Sequence, residues 1–198
     1  MKIFRMFRES AAELKNLRCI TVTGLLIALS MVIESFTVNL GFAKINFAFL
    51  ALAAIGMLYG PSVSIMAGAV CDVLGYLVAP EGGFFAIYTL IGAFQGLIYG
   101  MIAYRKQPKR TGRAYDVEMS FRLVAARIVD VLIINLVCNT AANYHYGFLR
   151  DRTLGAAIAA RVVKNLLELP VDIVLIAVVL MAVLKAYQSV FGRQRTAA

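Results

Sequence analysis

The chain has 198 residues, of which 61% are hydrophobic and 16% charged, with a formal net charge of +9. Soluble domains sit nearer half apolar and a quarter charged, so this composition describes a protein whose apolar surface faces lipid. At about 20 residues per crossing, roughly six spans would use about 120 residues, which excludes a separate catalytic ATPase domain or extracellular module.

The segment from Met1 to Arg18 is charged with both signs and has no small-residue cleavage site, so the first apolar stretch is expected to stay in the protein as a span. That span is predicted over 19–38, interrupted only by Glu34 near its far end. It carries Gly24 and Ala28 four residues apart, a small-xxx-small pattern that permits close helix approach. Either internal packing or docking of a partner membrane protein would use such a face. Charges then vanish from Ile45 to Cys71, with Gly60 and Pro61 near the middle.

Charge bookkeeping divides this long apolar stretch. Lys2, Arg5, Arg8, Lys15 and Arg18 form one basic cluster, and Arg105, Lys106, Lys109, Arg110 and Arg113 form the next. Both belong on the cytoplasmic side, so an even number of spans must separate them. A turn at Gly60-Pro61 meets that condition and predicts spans over 45–59, 62–79 and 83–104. Two more follow over 121–144 and 160–187, trailed by Arg193 and Arg195. The expectation is an all-α integral membrane protein, a six-helix bundle forming one membrane domain with both termini cytoplasmic. The loops Asn39 to Asn46, Ala79 to Gly83 and Tyr144 to Ala160 would then converge on the outer face. Because the Lys and Arg residues flank apolar spans, topology and anionic lipid explain them more simply than nucleic acid, and no nucleic-acid partner is expected.

Ionisable groups inside spans carry the functional information, since each costs about 2.5–3.5 kcal/mol at a helix centre unless it is paired or faces a cavity. In the last span Arg161, Lys164, Asn165, Glu168 and Asp172 recur at spacings of three and four and share one helical face. In the fifth, Asn135, Asn139 and Asn143 repeat every four residues, with Arg127 and Asp130 continuing the polarity toward the cytoplasmic end. Arg127, Asp130, Glu168 and Asp172 read as an internal charge network as readily as a functional one, and the asparagines could act as interhelical glue. Asn139, Asn143, Arg161 and Lys164 lie nearer the outer loops and favour a pocket whose two basic groups suit a carboxylate-bearing solute. Between spans three and four, glycines at 82 and 83 allow tight re-entry into the membrane, and Phe84, Phe85 and Tyr88 could stack on a flat aromatic ligand or form an interfacial belt. Cys19, Cys71 and Cys138 have neither disulfide nor metal spacing, and no metal or cofactor is expected. No GxSxG, HExxH or Walker loop is present, so no enzymatic activity is expected and any energy for transport must come from elsewhere.

Taken together, these residues resemble the substrate-binding S components of energy-coupling factor (ECF) vitamin transporters, folate family. The resemblance begins with SAAELKNLR over 10–18 and continues through Lys44-Ile45-Asn46-Phe47 and the GMLYGP run over 56–61. It then takes in Asp72, Gly75, Tyr76 and Pro80, Phe84-Phe85 with Thr89-Leu90, and GLIYG over 96–100. It closes on Asn139-Thr140 with Tyr146-Gly147 and on Arg161-Val162-Val163-Lys164-Asn165 with Pro170. The resemblance implies a vitamin-binding subunit of the bacterial plasma membrane that captures ligand at its outer face. It implies docking through Gly24 and Ala28 on a transmembrane coupling protein with two ATPase subunits, which would supply ATP hydrolysis. The candidate ligand set is Lys44, Phe84, Phe85, Tyr88, Thr89, Asn139, Asn143, Arg161, Lys164 and Asn165. Two departures bear on the substrate: Pro80-Glu81-Gly82 and Phe84 to Thr89 replace the family's PTG and FFPGFT, and Asn139 to Asn143 replaces its NTLWL. Folate stands first, with another vitamin or cofactor precursor beside it. A proton-coupled secondary transporter using Glu168, Asp172 and Asp130, or a membrane scaffold, are the readings from other classes.

Overall fold

The computed structural model describes residues 2–35, 38–39, 44–45, 47–80, 83–105, 113–148 and 153–191. In chain order these are α1 (Lys2–Glu13), α2 (Leu17–Ser35), β1 (Val38–Asn39), β2 (Lys44–Ile45), α3 (Phe49–Tyr59), α4 (Pro61–Val78) and α5 (Ala86–Ala103). After 106–112 come α6 (Arg113–Asp130), a π-helical stretch (Val131–Cys138) and α7 (Asn139–His145), which run on without a break. The last long helix is α8 (Leu154–Leu175), a second π-helical stretch (Ile176–Leu180) and α9 (Met181–Phe191). Among the described residues, four stretches are long and apolar enough to cross a membrane: Leu17–Glu34, Pro61–Val78, Ala86–Ala103 and Leu154–Val190.

Helix α3 is too short for a lipid-facing span. Its 11 residues include 10 that are buried, among them Ile55 and Ala53 at zero exposure. It is the central helix, enclosed by its neighbours, so its polar backbone is satisfied within the helix and its side chains meet protein rather than lipid. The sequence placed the start of this span at 45. The backbone there instead forms a two-residue antiparallel ladder, Val38 opposite Ile45 and Asn39 opposite Lys44, and the helix starts at Phe49. The same ladder takes Val38 out of the span predicted over 19–38, where α2 ends at Ser35. The helices predicted over 121–144 and 160–187 are longer than expected, starting at Arg113 and Leu154, with Thr153 capping the latter by accepting from the Ala156 N–H.

The break at Gly60-Pro61 lies where the sequence placed it. Gly60 adopts φ +84°, a conformation L side chains rarely adopt, and Pro61 opens α4 at a position where its missing N–H costs nothing. Helix α1, which the sequence did not announce, clasps this turn. The Ser10 hydroxyl donates to the Tyr59 carbonyl at 2.7 Å and accepts from the N–H groups of Ser62 and Val63 at 3.0 and 3.3 Å. The Ser62 hydroxyl in turn donates to the Phe7 carbonyl at 2.9 Å. One side chain thus satisfies donors at the open N-terminus of α4 and an acceptor at the end of α3.

Helices α4 and α5 pack backbone to backbone. A Cβ placed on Gly96 would overlap the Ser64 carbonyl oxygen, and one on Gly68 would overlap the Gly92 carbonyl oxygen. The Ser64 hydroxyl donates across this seam to the Gly96 carbonyl at 2.7 Å. Small residues let the two helices approach closely in a lipid environment where dispersion contacts hold helices together.

Candidate functional site

A cavity of about 300 Å³ opens between α2, α3, α4, α5, the first π-helical stretch and α8. That volume lies at the lower end of the range for small-molecule sites, about 300–1,000 Å³. Its walls divide by chemistry. From α2 to α5 come Glu34, Asp72, Tyr88 and Gln95 together with apolar residues such as Phe49 and Leu52, without a lysine or arginine among the lining residues of these helices. From α6 to α8 come Arg127, Asn135, Asn139, Lys164 and Glu168.

Arg127 forms the centre of the buried polar network. Its Nη1 donates to Asp130 Oδ2 at 2.7 Å, and its Nε and Nη2 lie 3.0 and 2.9 Å from Asp172 Oδ2. Its guanidinium carbon also sits 3.8 Å from the centroid of the Phe49 ring, so the cation is covered by an aromatic face as well as by two carboxylates. Gln95 Nε2 and the Tyr99 hydroxyl each donate to Asp130 Oδ2 at 3.1 Å. This joins α3, α5, α6 and α8 through one charge cluster. With two acids already on Arg127, its charge is spent internally, and among the described residues Lys164 is the other cation lining the cavity. Lys164 Nζ lies 3.5 Å from Glu168 Oε1, one helical turn away.

The π-helical stretch widens the backbone where the cavity needs a polar wall. In the wider turn the Asn135 carbonyl accepts from Arg161 Nη1 at 3.0 Å and from the Thr140 hydroxyl at 3.4 Å. Asn139 Nδ2 donates to Asn135 Oδ1 at 3.5 Å, so the two amides stand as a pair. Interruptions of this kind in long helices recur at functional sites.

At one end of the cavity four aromatic rings cluster. Phe85 lies 4.3 Å from Tyr146 and 5.7 Å from Phe148, and 6.4 Å from Tyr88, centroid to centroid. The Tyr88 hydroxyl donates to Asn143 Oδ1, tying the start of α5 to α7. His145, which the sequence left without a role, stacks edge-on against Tyr146 at 5.3 Å.

Of the sequence-predicted ligand residues, Tyr88, Asn139 and Lys164 line the cavity. Asn143 and Phe85 adjoin it through Tyr88. Thr89 reaches it indirectly, donating to Asp72 Oδ2 at 2.6 Å. Arg161 is committed to the Asn135 carbonyl, and Asn165 is buried with Nδ2 donating to the Arg161 carbonyl at 2.9 Å. Phe84 packs edge-on at 5.3 Å against Tyr76, away from the ring cluster. Lys44 sits in β2, and its side chain lies outside the described residues. Gly24 and Ala28 are exposed on α2, and a Cβ on Gly24 would meet nothing within 4 Å. Glu34, Asp72, Gln95 and Asn135 are wall residues that the sequence reading did not include in its ligand set. The first two were detectable by the rule that singled out Glu168, being ionisable groups inside apolar spans.

Comparison with known proteins follows the same lines. Residues 18–180 match the family described as ECF transporter, substrate-specific component. A folate transporter FolT of Leuconostoc mesenteroides is 30% identical over 157 residues, covering 79% of this chain and 80% of its own. A folate transporter FolT of Clostridium novyi is 27% identical over 164 residues, covering 82% of this chain and 88% of its own. Among solved structures, the crystal structure of FolT bound with folic acid superposes with a TM-score of 0.63 at 26% identity, covering 80% of this chain and 90% of that one.

Proposed function

This chain belongs to the substrate-specific components of ECF transporters, and from that premise we propose that it is the folate-binding membrane subunit of an ATP-driven importer in a bacterial plasma membrane. One observation carries the ligand assignment: a cavity in this chain sets a donor-accepting wall with Tyr88 against a wall with Asn139 and Lys164, in a fold that matches a FolT bound with folic acid. A ligand with a flat, polar ring and a carboxylate tail uses both walls. Phe85, Tyr88, Tyr146 and Phe148 close over it from the outer face, and Lys164 with Asn139 holds the tail.

The chain crosses the membrane six times with both termini in the cytoplasm, a reading supported by the two basic clusters flanking four crossings. The transmembrane coupling protein docks on α2 through Gly24 and Ala28. What supports this face is that both small residues are exposed rather than used in internal packing, beside exposed Leu25, Leu29 and Val32. ATP hydrolysis belongs to two partner ATPases, and reorientation of the loaded subunit against the coupling protein opens the cavity inward.

The test separates binding from transport. In cells or vesicles carrying the full complex, Ala28→Trp is expected to abolish folic acid uptake while the purified subunit binds folic acid as the unmodified one does. Normal uptake by the variant would remove the docking face, and uptake without any ATPase partner would favour a proton-coupled carrier.

A further inference from the structure

Helix α1 is held at the plane where three candidate spans end. The Ser10 and Ser62 hydroxyls fasten it to the start of α4, at Pro61. Tyr104, which follows the last residue of α5, adjoins Gly60 at the same place. A tight turn over 14–16 then leads into α2, whose first residues are set by Asn16 Oδ1 accepting from the Arg18 N–H at 3.1 Å. Spans Leu17–Glu34, Pro61–Val78 and Ala86–Ala103 therefore all meet water beside α1. A helix fixed at that level lies against the headgroups rather than in bulk solvent.

The side chains of α1 are sorted to suit that position. Ser10 is buried and Met6 and Phe7 are half-buried, whereas Phe4 and Ile3 are left 79% and 59% exposed. Leu17 and Ile20 continue this apolar surface onto the lipid-facing side of α2. The charges divide by sign: Arg5, Arg8 and Lys15 are exposed, while Glu9 and Glu13 are half-buried, Glu9 pairing with Arg5 at 2.9 Å. Arg8 stands one helical turn from Phe4, so a cation and an exposed aromatic ring are neighbours. An amphipathic helix with aromatic residues on one side and outward basic groups on the other binds in the plane of a bilayer interface and favours anionic lipid. A second copy of the chain would bring the same cations together on this face.

We propose that α1 is an interfacial anchor that recognises anionic lipid, with Ile3 and Phe4 entering the acyl boundary and Arg8 meeting the lipid phosphates. Through the Ser10 clasp this anchor joins the α3–α4 turn to the bilayer surface.

The test uses the absence of tryptophan from the chain. Phe4→Trp places a single reporter on α1, and Leu25→Trp places one on the lipid-facing side of α2. Each full-length variant is checked for monodispersity and reconstituted in vesicles of equal parts phosphatidylcholine and phosphatidylglycerol. One or the other lipid carries bromine on the upper part of its acyl chain, so fluorescence quenching measures which lipid surrounds the reporter. Both leaflets have the same composition, so failure here is separate from failure of the proposed orientation. At position 4 the anionic lipid is expected to be enriched about fivefold, the factor one basic residue contributes at a charged surface. At position 25 the two lipids should quench equally. Adding Arg8→Gln to Phe4→Trp should remove most of the enrichment, and Arg8→Lys should keep it. Position 4 unquenched by either lipid while position 25 is quenched would overturn the anchor, as would shielding from acrylamide without lipid quenching, which would put a second copy on this face. Equal quenching by the two lipids at position 4, or enrichment unchanged by Arg8→Gln, would overturn the recognition of anionic lipid by α1. Ile3→Trp supplies the same readout should Phe4→Trp not remain monodisperse.

Discussion

The α4–α5 seam and the junction of α6 with α8 border the same cavity and hold by contrasting means. The seam closes by removing side chains: Gly68, Gly92 and Gly96 bring backbones into contact, and its polar links, Ser64 to the Gly96 carbonyl and Thr89 to Asp72, include no ion pair among the described residues. The junction closes by adding them: Arg127 reaches Asp130 and Asp172, and a π-helical stretch with its Arg161-capped carbonyl takes the place of regular helix. A backbone seam has a single geometry, because no rotamer change can open or relax it. A junction of long side chains can slide, since each ion pair tolerates small displacements and each π turn is a local excess of backbone. The difference leaves α4 and α5 as a closely apposed pair of backbones and joins α6 to α8 through long side chains.

Substitutions at the two junctions put this contrast at risk, and the largest effect is expected in the seam. Gly96→Val sets a branched side chain against the Ser64 carbonyl. It should cost more than the about 1–3 kcal/mol of ordinary overpacking and leave no monodisperse protein in size-exclusion chromatography. Folded, ligand-binding Gly96→Val protein would mean that the seam can separate.

At the other junction, Arg127→Met strands Asp130 and Asp172 and should lower stability by about 3–5 kcal/mol, read as a fall in melting temperature in detergent. Adding Asp130→Asn and Asp172→Asn should restore most of the loss, because the penalty comes from unpaired charge rather than from shape. A triple variant no more stable than Arg127→Met would show that the network does more than neutralise itself.

How far the sequence could have led to this contrast differs between the two regions. Most of the charge network was legible, because Arg127 and Asp130 stand three residues apart and Asp172 lies on the polar face of the last span, whereas Glu168, grouped with them in the sequence, pairs with Lys164 instead. The Gly60-Pro61 turn was legible as well, from two residues with restricted backbone and the parity of the basic clusters. What was not legible depends on long-range pairing. The Ser10 clasp spans 49 residues to the Tyr59 carbonyl, and no local pattern encodes it. The glycines of α4 and α5 read as ordinary helix residues until the two helices are set side by side. The π-helical stretches have no composition of their own, since Val131–Cys138 is apolar apart from Asn135. Within the candidate site, Tyr88, Asn139 and Lys164, which stand out in the sequence by type, line the cavity, as does Asp72 of the third predicted span, which the expected ligand set does not contain.

Lys164→Ala should weaken folic acid binding about tenfold to a hundredfold, the value of a hydrogen bond to a charged group, with little change in melting temperature because the side chain is about one-third exposed. Unchanged affinity in folded protein would move the carboxylate end of the ligand away from α8. The smallest effect belongs to a glycine with open space around it. Gly24→Ala adds a methyl where nothing lies within 4 Å, and should raise the stability of the isolated subunit by up to about 1 kcal/mol through helix propensity. A destabilised Gly24→Ala subunit would mean that this face of α2 is packed internally, contrary to its exposure.

The most direct test of the central claim, a solitary subunit with one folate-selective cavity, is native mass spectrometry of the detergent-purified chain without partners, titrated with folic acid and a panel of other vitamins. The account predicts a single saturable complex of one folic acid per chain, displaced by none of the others. A chain that stays empty across the panel, or that selects a vitamin without a carboxylate tail, would contradict it.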